Sequence, residues 1–484
     1  MLFTKTDFKN FLGCGCYLWM VKKASQLLPP PSASDLFHQQ EGEKVDALAK
    51  QLFPGGTELF DFNEEGWRKS KPLFDAKTKV IFQPTVVTKS GLTCRADIMT
   101  YDSKADAYEI REVKSATEVR AEDVIDVAFQ LACFEEAGIG VRKAYIVHVN
   151  KEYVRKGNID PKKFFITEDV TDAARDVVPE IRKGIADAKE LLTVEEYPDN
   201  RVILSCKSKT GSCDALRTYL SQAPVKKLDI KNWPPTFALS LLKKGVIDAE
   251  ALSPVFLRGL GYAAIEKTVD AALIKRELAA LVYPIYFLDY ETFASPIPPY
   301  DGTRPWQKLV FQYSVQVKKT PASKAEEKAF LAVKDANPVP EMAAKLKQDL
   351  GVKGSVIVWY APFEMSRNKE VGEEYPEYAE FMEQVNGRVY DLMIIFKKKM
   401  FVDAKFHGSS SIKSVLPVLV PELSYKELGI QEGGTASVSW PRLTNPKTPE
   451  AEKEKLKSDM LTYCGLDTMA MVRILDELEK TIDL

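Results

Sequence analysis

The segment FLDYE, residues 287–291, decides the fold and the chemistry of the C-terminal part of the chain. It lies in an apolar run, residues 285–293, that predicts a buried strand. Side chains two residues apart on a strand point from the same face. We therefore expect Asp289 and Glu291 to present their carboxylates together on one face of a sheet.

A second acidic segment, YCGLD at residues 463–467, lies in a predicted helix near the end of the chain. Tyr463 and Asp467 are four residues apart, so the phenol and the carboxylate share one helix face. Carboxylates brought together from separate elements form the all-oxygen site that Mg²⁺ or Mn²⁺ prefers. Such a site suits two-metal hydrolysis of phosphodiester bonds.

Composition limits the class of protein. A chain of 484 residues is too long for one core, so we expect two or three domains. The net charge of −2 excludes a wholly basic nucleic-acid coat but permits a local basic groove around an acidic site. No apolar run reaches transmembrane length, and an odd number of cysteines, seven, argues against a secreted disulfide framework. We expect a cytoplasmic protein with no membrane partner.

The pattern of strands and helices predicts an α/β protein with two domains. Residues 1–224 form a mixed α/β domain that begins with a helix over residues 1–28, opened by a capping box of Thr4 and Asp7. Residues 282–484 form a second α/β domain. Between them, residues 225–281 are mostly helical and are interpreted as a connector, with a helical extension of either neighbour as the alternative.

The two acidic segments resemble the motifs of the DEDD exonucleases in the RNase H-like superfamily. YAPFE, residues 360–364, corresponds to a third motif, with Tyr360 replacing asparagine and Glu364 replacing aspartate. The histidine-containing branch is excluded because no histidine follows His407, which leaves the tyrosine-containing branch (DEDDy). The resemblance implies an RNase H-like fold in which Tyr463 orients the attacking water and two cations are held by Asp289, Glu291, Glu364 and Asp467.

Other residues of this domain have competing interpretations. Gly465, within the predicted helix, costs about 1 kcal/mol relative to alanine, and either a close substrate backbone or tight helix packing explains it. Asp391 is interpreted as a helix cap or turn residue. The segment GSSSIK, residues 408–413, is interpreted as a helix N-cap, with phosphate binding beside Lys413 as the alternative.

A different acidic pattern lies in the N-terminal domain. RAD, residues 95–97, is predicted to lie on a strand over residues 92–101, which pairs as a hairpin with the strand that carries EVK, residues 112–114. The hairpin brings Asp97 beside Glu112 and Lys114. Gln130 follows on a helix.

This set resembles the PD-(D/E)XK nuclease core, closest to RecB-like and CRISPR-associated exonucleases. The resemblance implies a restriction-endonuclease-like domain with one or two Mg²⁺ or Mn²⁺ ions on Asp97 and Glu112, and with Lys114 positioning the water. Gln130 matches the QxxxY helix of that family, with Phe134 replacing tyrosine. Asp46 occupies the place of a metal-binding histidine, as a ligand or as a surface charge.

Relatives in the RecB-like group often carry a [4Fe–4S] cluster on four cysteines. The candidate thiolates here are Cys14, Cys16, Cys206 and Cys213, and a cysteine that the family spacing calls for near Tyr219 is missing. An intact cluster and a degenerate remnant both stay open. We expect the remaining cysteines to be buried small side chains, namely Cys94, Cys133 and Cys464.

Nearly the whole chain resembles a bacterial family of unassigned biology that fuses a RecB-like nuclease to an RNase H-like exonuclease. The resemblance implies a metal-dependent nuclease with two active sites that acts on DNA, cutting from 3′ ends at the second site. An RNA exonuclease is one alternative, because no residue is identified that reads the 2′-hydroxyl. A nucleic-acid-binding scaffold with one or both sites inactive is another. No protein partner is indicated.

Overall fold

The computed structural model describes residues 2–195, 267–406, 409–425 and 428–482. The chain is a mixed α/β protein with two compact units. The first unit comprises Met1–Ala251 with Ser295–Trp306, and the second comprises Leu252–Ala294 with Gln307–Leu484. Most of the predicted connector lies outside the described residues. Across the described ranges no helix is both long and apolar enough to cross a membrane.

The described residues of the first unit form two sheets. A six-stranded sheet has the order β2-β3-β6-β7-β8-β9, and a three-stranded sheet has the order β1-β5-β4. In the larger sheet β6 and β7 are antiparallel, whereas β7 and β8 are parallel. The strands are β1 Phe3–Thr4, β2 Thr57–Glu58, β3 Val80–Phe82, β4 Thr85–Val87, β5 Leu92–Arg95, β6 Ile98–Asp102, β7 Ala107–Lys114, β8 Val141–Val149 and β9 Phe165–Asp169.

The helices of the first unit begin with two short ones where the sequence predicted a single helix. The capping box of Thr4 and Asp7 is confirmed. The helix nevertheless ends at Cys14, whose φ of −163° is extended, and a new helix starts at Gly15. The helices are α1 Lys5–Gly13, α2 Gly15–Lys23, α3 Ala33–Lys50, α4 Asn63–Asp75, α5 Ala121–Glu136, α6 Pro161–Phe164 and α7 Thr171–Leu191.

The predicted strand over residues 92–101 is wrong as a single element. It is divided between β5 of the small sheet and β6 of the large sheet. Asp97 lies at the junction, where the chain leaves one sheet and enters the other. The predicted hairpin between β6 and β7 is confirmed, since Asp102 pairs with Ala107 across the turn. From this junction the Asp97 side chain reaches the backbone of β7, where the Val113 N–H donates to its Oδ2 over 2.7 Å.

The second unit is built on a five-stranded sheet with the order β13-β12-β11-β14-β15. The first three strands are antiparallel, and β14 and β15 continue from β11 in parallel. The central β11 is largely buried, which agrees with its nearly continuous apolar sequence. The strands are β10 Thr268–Val269, β11 Ile285–Phe293, β12 Leu309–Lys318, β13 Glu326–Leu331, β14 Val356–Val358, β15 Val389–Asp391 and β16 Phe401–Val402, the first and last forming a two-stranded ribbon.

Helices cover this sheet, and the longest is the last. The sequence predicted it, but did not predict the helix Gly433–Thr444 or strand β13. The helices are α8 Ala271–Leu278, α9 Val339–Asp349, α10 Ala361–Glu374, α11 Ala379–Asn386, α12 Ile394–Lys397, α13 Ile412–Leu419, α14 Gly433–Thr444 and α15 Glu450–Ile482.

Two buried polar contacts dock α15 onto strand β12. Gln312 Nε2 donates to the Met460 carbonyl over 2.8 Å, and Ser314 Oγ lies 2.7 Å from Thr468 Oγ1. Gln312 and Ser314 pair in register with Glu291 and Asp289 of the neighbouring strand β11. The two docking contacts therefore bracket the helix segment that carries the second acidic motif, and they bring it over the first.

Candidate functional site

Three carboxylates of the second unit converge. Asp289 and Glu291 of β11 and Asp467 of α15 each offer an oxygen, and these oxygens lie within 4.8 Å of one another. Glu291 and Asp467 are buried. We call these three residues the acidic cluster. They open into a cavity of about 160 Å³ whose other lining residues are Tyr290, Trp359, Ile412, Lys413, Tyr463 and Met471.

The carboxylates of the acidic cluster oppose one another's ionisation. Burial raises the pKa of Asp289 and of Glu291 well above the ordinary carboxyl values, and the charge of Asp467 raises both further. Burial also raises the pKa of Asp467 to about 6, against the hydrogen bond from Tyr425 and the charge of Lys413. Burial and like charge both favour the protonated form of these carboxyl groups. A bound cation would compensate their negative charge and favour the ionised form.

Glu364, the fourth predicted ligand, is buried in the first turn of α10 and is not part of the three-residue group. Its charge still contributes to the raised pKa of Asp289. Burial, and then the charge of Asp391, raises the pKa of Glu364 to about 8. Among the described residues its Oε2 has no hydrogen-bond donor. The structure thus brings Glu364 within electrostatic reach of the cluster, with one oxygen free.

Asp391 caps α10, which confirms its interpretation as a structural residue. Its two carboxylate oxygens accept the backbone N–H groups of Tyr360 and Ala361 over 3.1 and 3.2 Å. Tyr360 has a φ of +85°, a conformation that bulky residues rarely adopt. The cap therefore holds a strained backbone at the start of the helix that carries Glu364.

Two tyrosines and a lysine act on Asp467. Burial, and then the charge of Asp467, raises the pKa of Tyr463 far above 10, so its phenol stays protonated at neutral pH. The Tyr425 hydroxyl donates to Asp467 Oδ1 over 2.5 Å. The Lys413 ammonium lies 5.8 Å from the ring centroids of both tyrosines. Sequence reasoning missed Tyr425, which carries no motif, and considered Lys413 only as an alternative phosphate contact.

Gly465 and Cys464 of α15 both lie against side chains of neighbouring strands. A Cβ on Gly465 would lie 2.5 Å from Glu327 Oε1, so the movable end of the Glu327 side chain packs against the glycine. The Cys464 sulfur lies 3.8 Å from Asp289 Oδ2 and is fully buried. Cys94 and Cys133 are buried as well, so the expectation that these three cysteines are small buried side chains is confirmed.

The residues of the second unit fit a divalent cation. All of the donors are carboxylate oxygens, which hard cations prefer. A bound cation would reduce the mutual repulsion within the acidic cluster. It would also attract the Glu364 oxygen that has no hydrogen-bond donor among the described residues. Asp289, Glu291 and Asp467 would hold such an ion, and the charge of Glu364, outside this group, would add to its attraction.

The raised pKa values predict how the metal-free protein responds to pH. In the folded protein the pKa of Asp467 is raised from 3.8 to about 6, and that of Glu364 from 4.5 to about 8. Because the folded state binds these protons more tightly than the unfolded state, stability falls as pH rises. We expect the thermal unfolding temperature in EDTA to decrease between pH 5 and pH 8, and Mn²⁺ to reduce that decrease. Glu364→Gln should also reduce it. An unfolding temperature that rises over this interval would contradict the assignment.

In the first unit, Glu112 lies at the centre of a second group of charges. Its Oε1 contacts Lys5 Nζ at 2.5 Å and Lys114 Nζ at 3.0 Å, and its Oε2 accepts from Gln130 Nε2 over 2.6 Å. Burial alone would raise the pKa of Glu112, but Lys114 and Lys5 lower it well below the ordinary value. Glu112 is therefore ionised and held by donors of the protein itself.

Asp97 lies beside Glu112 in a different electrostatic state. Burial, and then the charge of Glu112, raises the pKa of Asp97 to about 7. Gln83 Nε2 lies 3.4 Å from Asp97 Oδ1 and 3.1 Å from Asp46 Oδ2, and thus joins these two acids. Asp46 also pairs with Lys50 at 2.6 Å. The structure therefore brings together the predicted Asp97, Glu112, Lys114 and Gln130, with Asp46 on the far side of Gln83.

Sequence reasoning missed three charged residues of this site. Lys114 Nζ lies 2.5 Å from Asp126 Oδ2, and Lys9 Nζ lies 3.3 Å from the same oxygen. Asp126 stands four residues before Gln130 on α5, and that helical spacing was a signal that could have found it. Lys5 and Lys9 are more than a hundred residues away in sequence. We call Lys5, Asp97, Glu112, Lys114 and Asp126 the charged cluster.

The predicted iron–sulfur ligands divide into two pairs. Cys14 and Cys16 are buried in the first unit, and the Cys14 sulfur accepts the Tyr17 N–H over 3.4 Å as the N-cap of α2. Cys206 and Cys213 lie outside the described residues. The cluster therefore stays a prediction.

Fold and site together define a mixed α/β protein with a buried group of carboxylates able to hold a cation. Residues 286–411 match a family described as a domain of unknown function (DUF2779), a range that includes Asp289, Glu291 and Glu364 and ends before Asp467. The chain is 27% identical over 218 residues to "Uncharacterized protein UU173" of Ureaplasma parvum serovar 3 (strain ATCC 700970), which covers 41% of this chain. The chain spans 31% of the length of that relative.

Proposed function

We propose that this protein is a divalent-metal-dependent nuclease with two active sites, which hydrolyses phosphodiester bonds of DNA in a reducing cytoplasm. The observation that carries the proposal is the convergence of Asp289, Glu291 and Asp467 to within 4.8 Å from elements far apart in sequence. The strand order β13-β12-β11-β14-β15 supports an RNase H-like fold for the second unit. The odd number of cysteines in a long chain, seven, supports the location.

At the second site the side chains have distinct roles in the proposed reaction. Mg²⁺ or Mn²⁺ bound there supplies activation of the attacking water and stabilisation of the leaving oxyanion. Asp289, Glu291 and Asp467 bind the metal, with Glu364 completing the acidic surroundings. The Tyr463 phenol is protonated and hydrogen-bonds Asp467, so its oxygen orients the attacking water by accepting a hydrogen bond from it. Tyr425 fixes the Asp467 carboxylate.

The first site is proposed as a PD-(D/E)XK nuclease centre on Asp97, Glu112 and Lys114. Support comes from the contact of Lys114 with Glu112 and from the Gln130 amide that orients the same carboxylate. Asp97 and Glu112 would hold the metal there. The iron–sulfur cluster remains a separate proposal that depends on Cys206 and Cys213.

The test compares the full chain with Asp97→Ala, Asp289→Ala and the double variant on end-labelled single- and double-stranded DNA and RNA. We expect each single variant to keep the products of the other site, and the double variant to lose all hydrolysis in Mg²⁺ and in Mn²⁺. The control is Glu326→Ala on β13, whose exposed carboxylate pairs with Lys319, and it should match the wild type. Substrate binding without turnover by the wild type would favour the scaffold alternative, and preference for RNA would favour the RNA exonuclease.

A further inference from the structure

The two groups of acids differ in how their charge is balanced. The acidic cluster consists of carboxylates that raise one another's tendency to bind protons or cations. In the charged cluster, by contrast, ammonium groups already contact the carboxylates. Lys5 and Lys114 both contact Glu112 Oε1, and Gln130 occupies Oε2. Both oxygens of Glu112 are thus engaged by donors of the chain, at the position where a divalent ion would bind.

Lys5 reaches Glu112 from a firmly held element. It is the first residue of α1, whose capping box fixes the helix start. Strand β1, just before it, pairs with β5, and the Phe8 ring stacks on Phe129 of α5 at 5.7 Å. The Lys5 side chain is only 22% exposed. Its contact with Glu112 is therefore part of the packed fold and not a chance surface pairing.

The neighbouring buried oxygens are not saturated. Gln130 Oε1 and Asp126 Oδ1 have no hydrogen-bond donor within the described part of the chain. Gln130 and Asp126 are 0% and 1% exposed, and each side chain touches a member of the charged cluster through its other polar atom. Buried acceptors without a donor, next to carboxylates, are atoms that a cation or its bound water would satisfy. The cluster thus has spare acceptors while Glu112 is occupied by Lys5.

We propose that Lys5 is an internal cation that competes with the divalent metal for Glu112 and thereby weakens metal binding at the first site. The inference rests on the proposed metal role of Asp97 and Glu112. An ammonium group and a divalent ion against the same oxygen repel each other strongly. Lys114 also contacts this oxygen, but at 3.0 Å and with Asp126 as a second partner at 2.5 Å, so Lys5 is the ammonium group that has to leave. Metal can therefore enter only when the Lys5 side chain moves away, which makes the first site weaker for metal than the second.

The experiment measures Mn²⁺ affinity by calorimetric titration in the full chain, with the second site silenced by Asp289→Asn and Asp467→Asn. In this background Lys5→Met is expected to bind Mn²⁺ about tenfold more tightly. The chain should still fold, because Glu112 keeps Lys114 and Gln130 as partners. Lys9→Met is the matched control. It removes the same charge from the same helix, but Lys9 contacts Asp126 and not Glu112, so its affinity should stay near that of the parent.

Further Lys5 variants and the thermal unfolding temperature distinguish failure of the competition from failure of the metal site. Lys5→Gln also removes the charge and should bind Mn²⁺ more tightly, whereas Lys5→Arg should bind like the parent. Mn²⁺ should raise the thermal unfolding temperature of Lys5→Met more than that of Lys9→Met. Equal Mn²⁺ affinity in the parent, Lys5→Met and Lys5→Gln would overturn the competition while leaving the metal site intact. No Mn²⁺ binding in any of them would instead reject the proposed function of the first site.

Discussion

Replacing Asp467 with asparagine is expected to reduce hydrolysis at the second site by about 10²- to 10³-fold, the loss typical of removing one group that stabilises a transition state. The carboxylate lies within 4.8 Å of those of Asp289 and Glu291, so the metal would lose one of three charged ligands. The measurement is Mn²⁺-dependent cleavage of end-labelled DNA in an Asp97→Asn background, which removes the contribution of the first site.

The same variant should not be less stable without metal. Burial raises the pKa of Asp467 to about 6, so its ionised form is disfavoured in the fold. Asparagine removes that charge and keeps an oxygen to accept the hydrogen bond from Tyr425. Thermal unfolding in EDTA at pH 8 is therefore expected at or above the wild-type temperature. Asp459→Asn on the same helix, paired with Lys455 outside the cluster, is the control and should retain activity.

Loss of cleavage together with unchanged stability would identify Asp467 as part of the chemical site. Full activity in the Asp467→Asn variant would contradict the metal role of the acidic cluster. A large drop in the unfolding temperature in EDTA would show instead that the carboxylate has a structural role.

Replacing Glu112 with glutamine is expected to have the opposite effect on stability, with a loss of about 3–5 kcal/mol in the free energy of unfolding. Glu112 is buried and compensates the ammonium groups of Lys5 and Lys114. Lys114 would keep Asp126 as a partner, but Lys5 would lose the carboxylate that it contacts. Lys114 and Lys5 hold the pKa of Glu112 well below its ordinary value in spite of burial. The stabilising contribution is therefore present throughout the neutral range and is lost only in acid.

Guanidinium-induced unfolding at pH 7, followed by circular dichroism, measures this loss. Asp97→Asn is the matched control in the same cluster. The pKa of Asp97 is already raised to about 7, and asparagine can still accept the Val113 N–H, so we expect little change in stability. If Glu112→Gln and Asp97→Asn unfold at the same guanidinium concentration, the ion pairs of Glu112 contribute little to the fold.

Much of the second site could be predicted because its ligands follow local periodicity. The i, i+2 spacing of Asp289 and Glu291 on a strand and the i, i+4 spacing of Tyr463 and Asp467 on a helix each fix a face. These relations depend only on backbone geometry. The structure then supplied what spacing does not contain, namely that Gln312 and Ser314 dock the helix over the strand.

The first unit shows where local patterns are insufficient. The sequence predicted one strand through Asp97, but the chain changes sheets at that residue. It also predicted one helix over residues 1–28, whereas the extended backbone of Cys14 divides it. Propensities along the chain do not report which sheet a strand joins, because that choice is made by packing against distant residues.

The sequence by itself determined the residue types, their order and their local faces, and hence the two groups of carboxylates and the mixed α/β architecture. Only the tertiary structure decided the electrostatic state of each group. Lys5 lies 107 residues from Glu112, and Tyr425 lies 42 from Asp467. Charge balance and burial depend on such long-range contacts, because Coulomb interactions follow distance in space and not separation along the chain. The same residue type, a buried carboxylate, is therefore paired by lysines in one unit and left facing other carboxylates in the other.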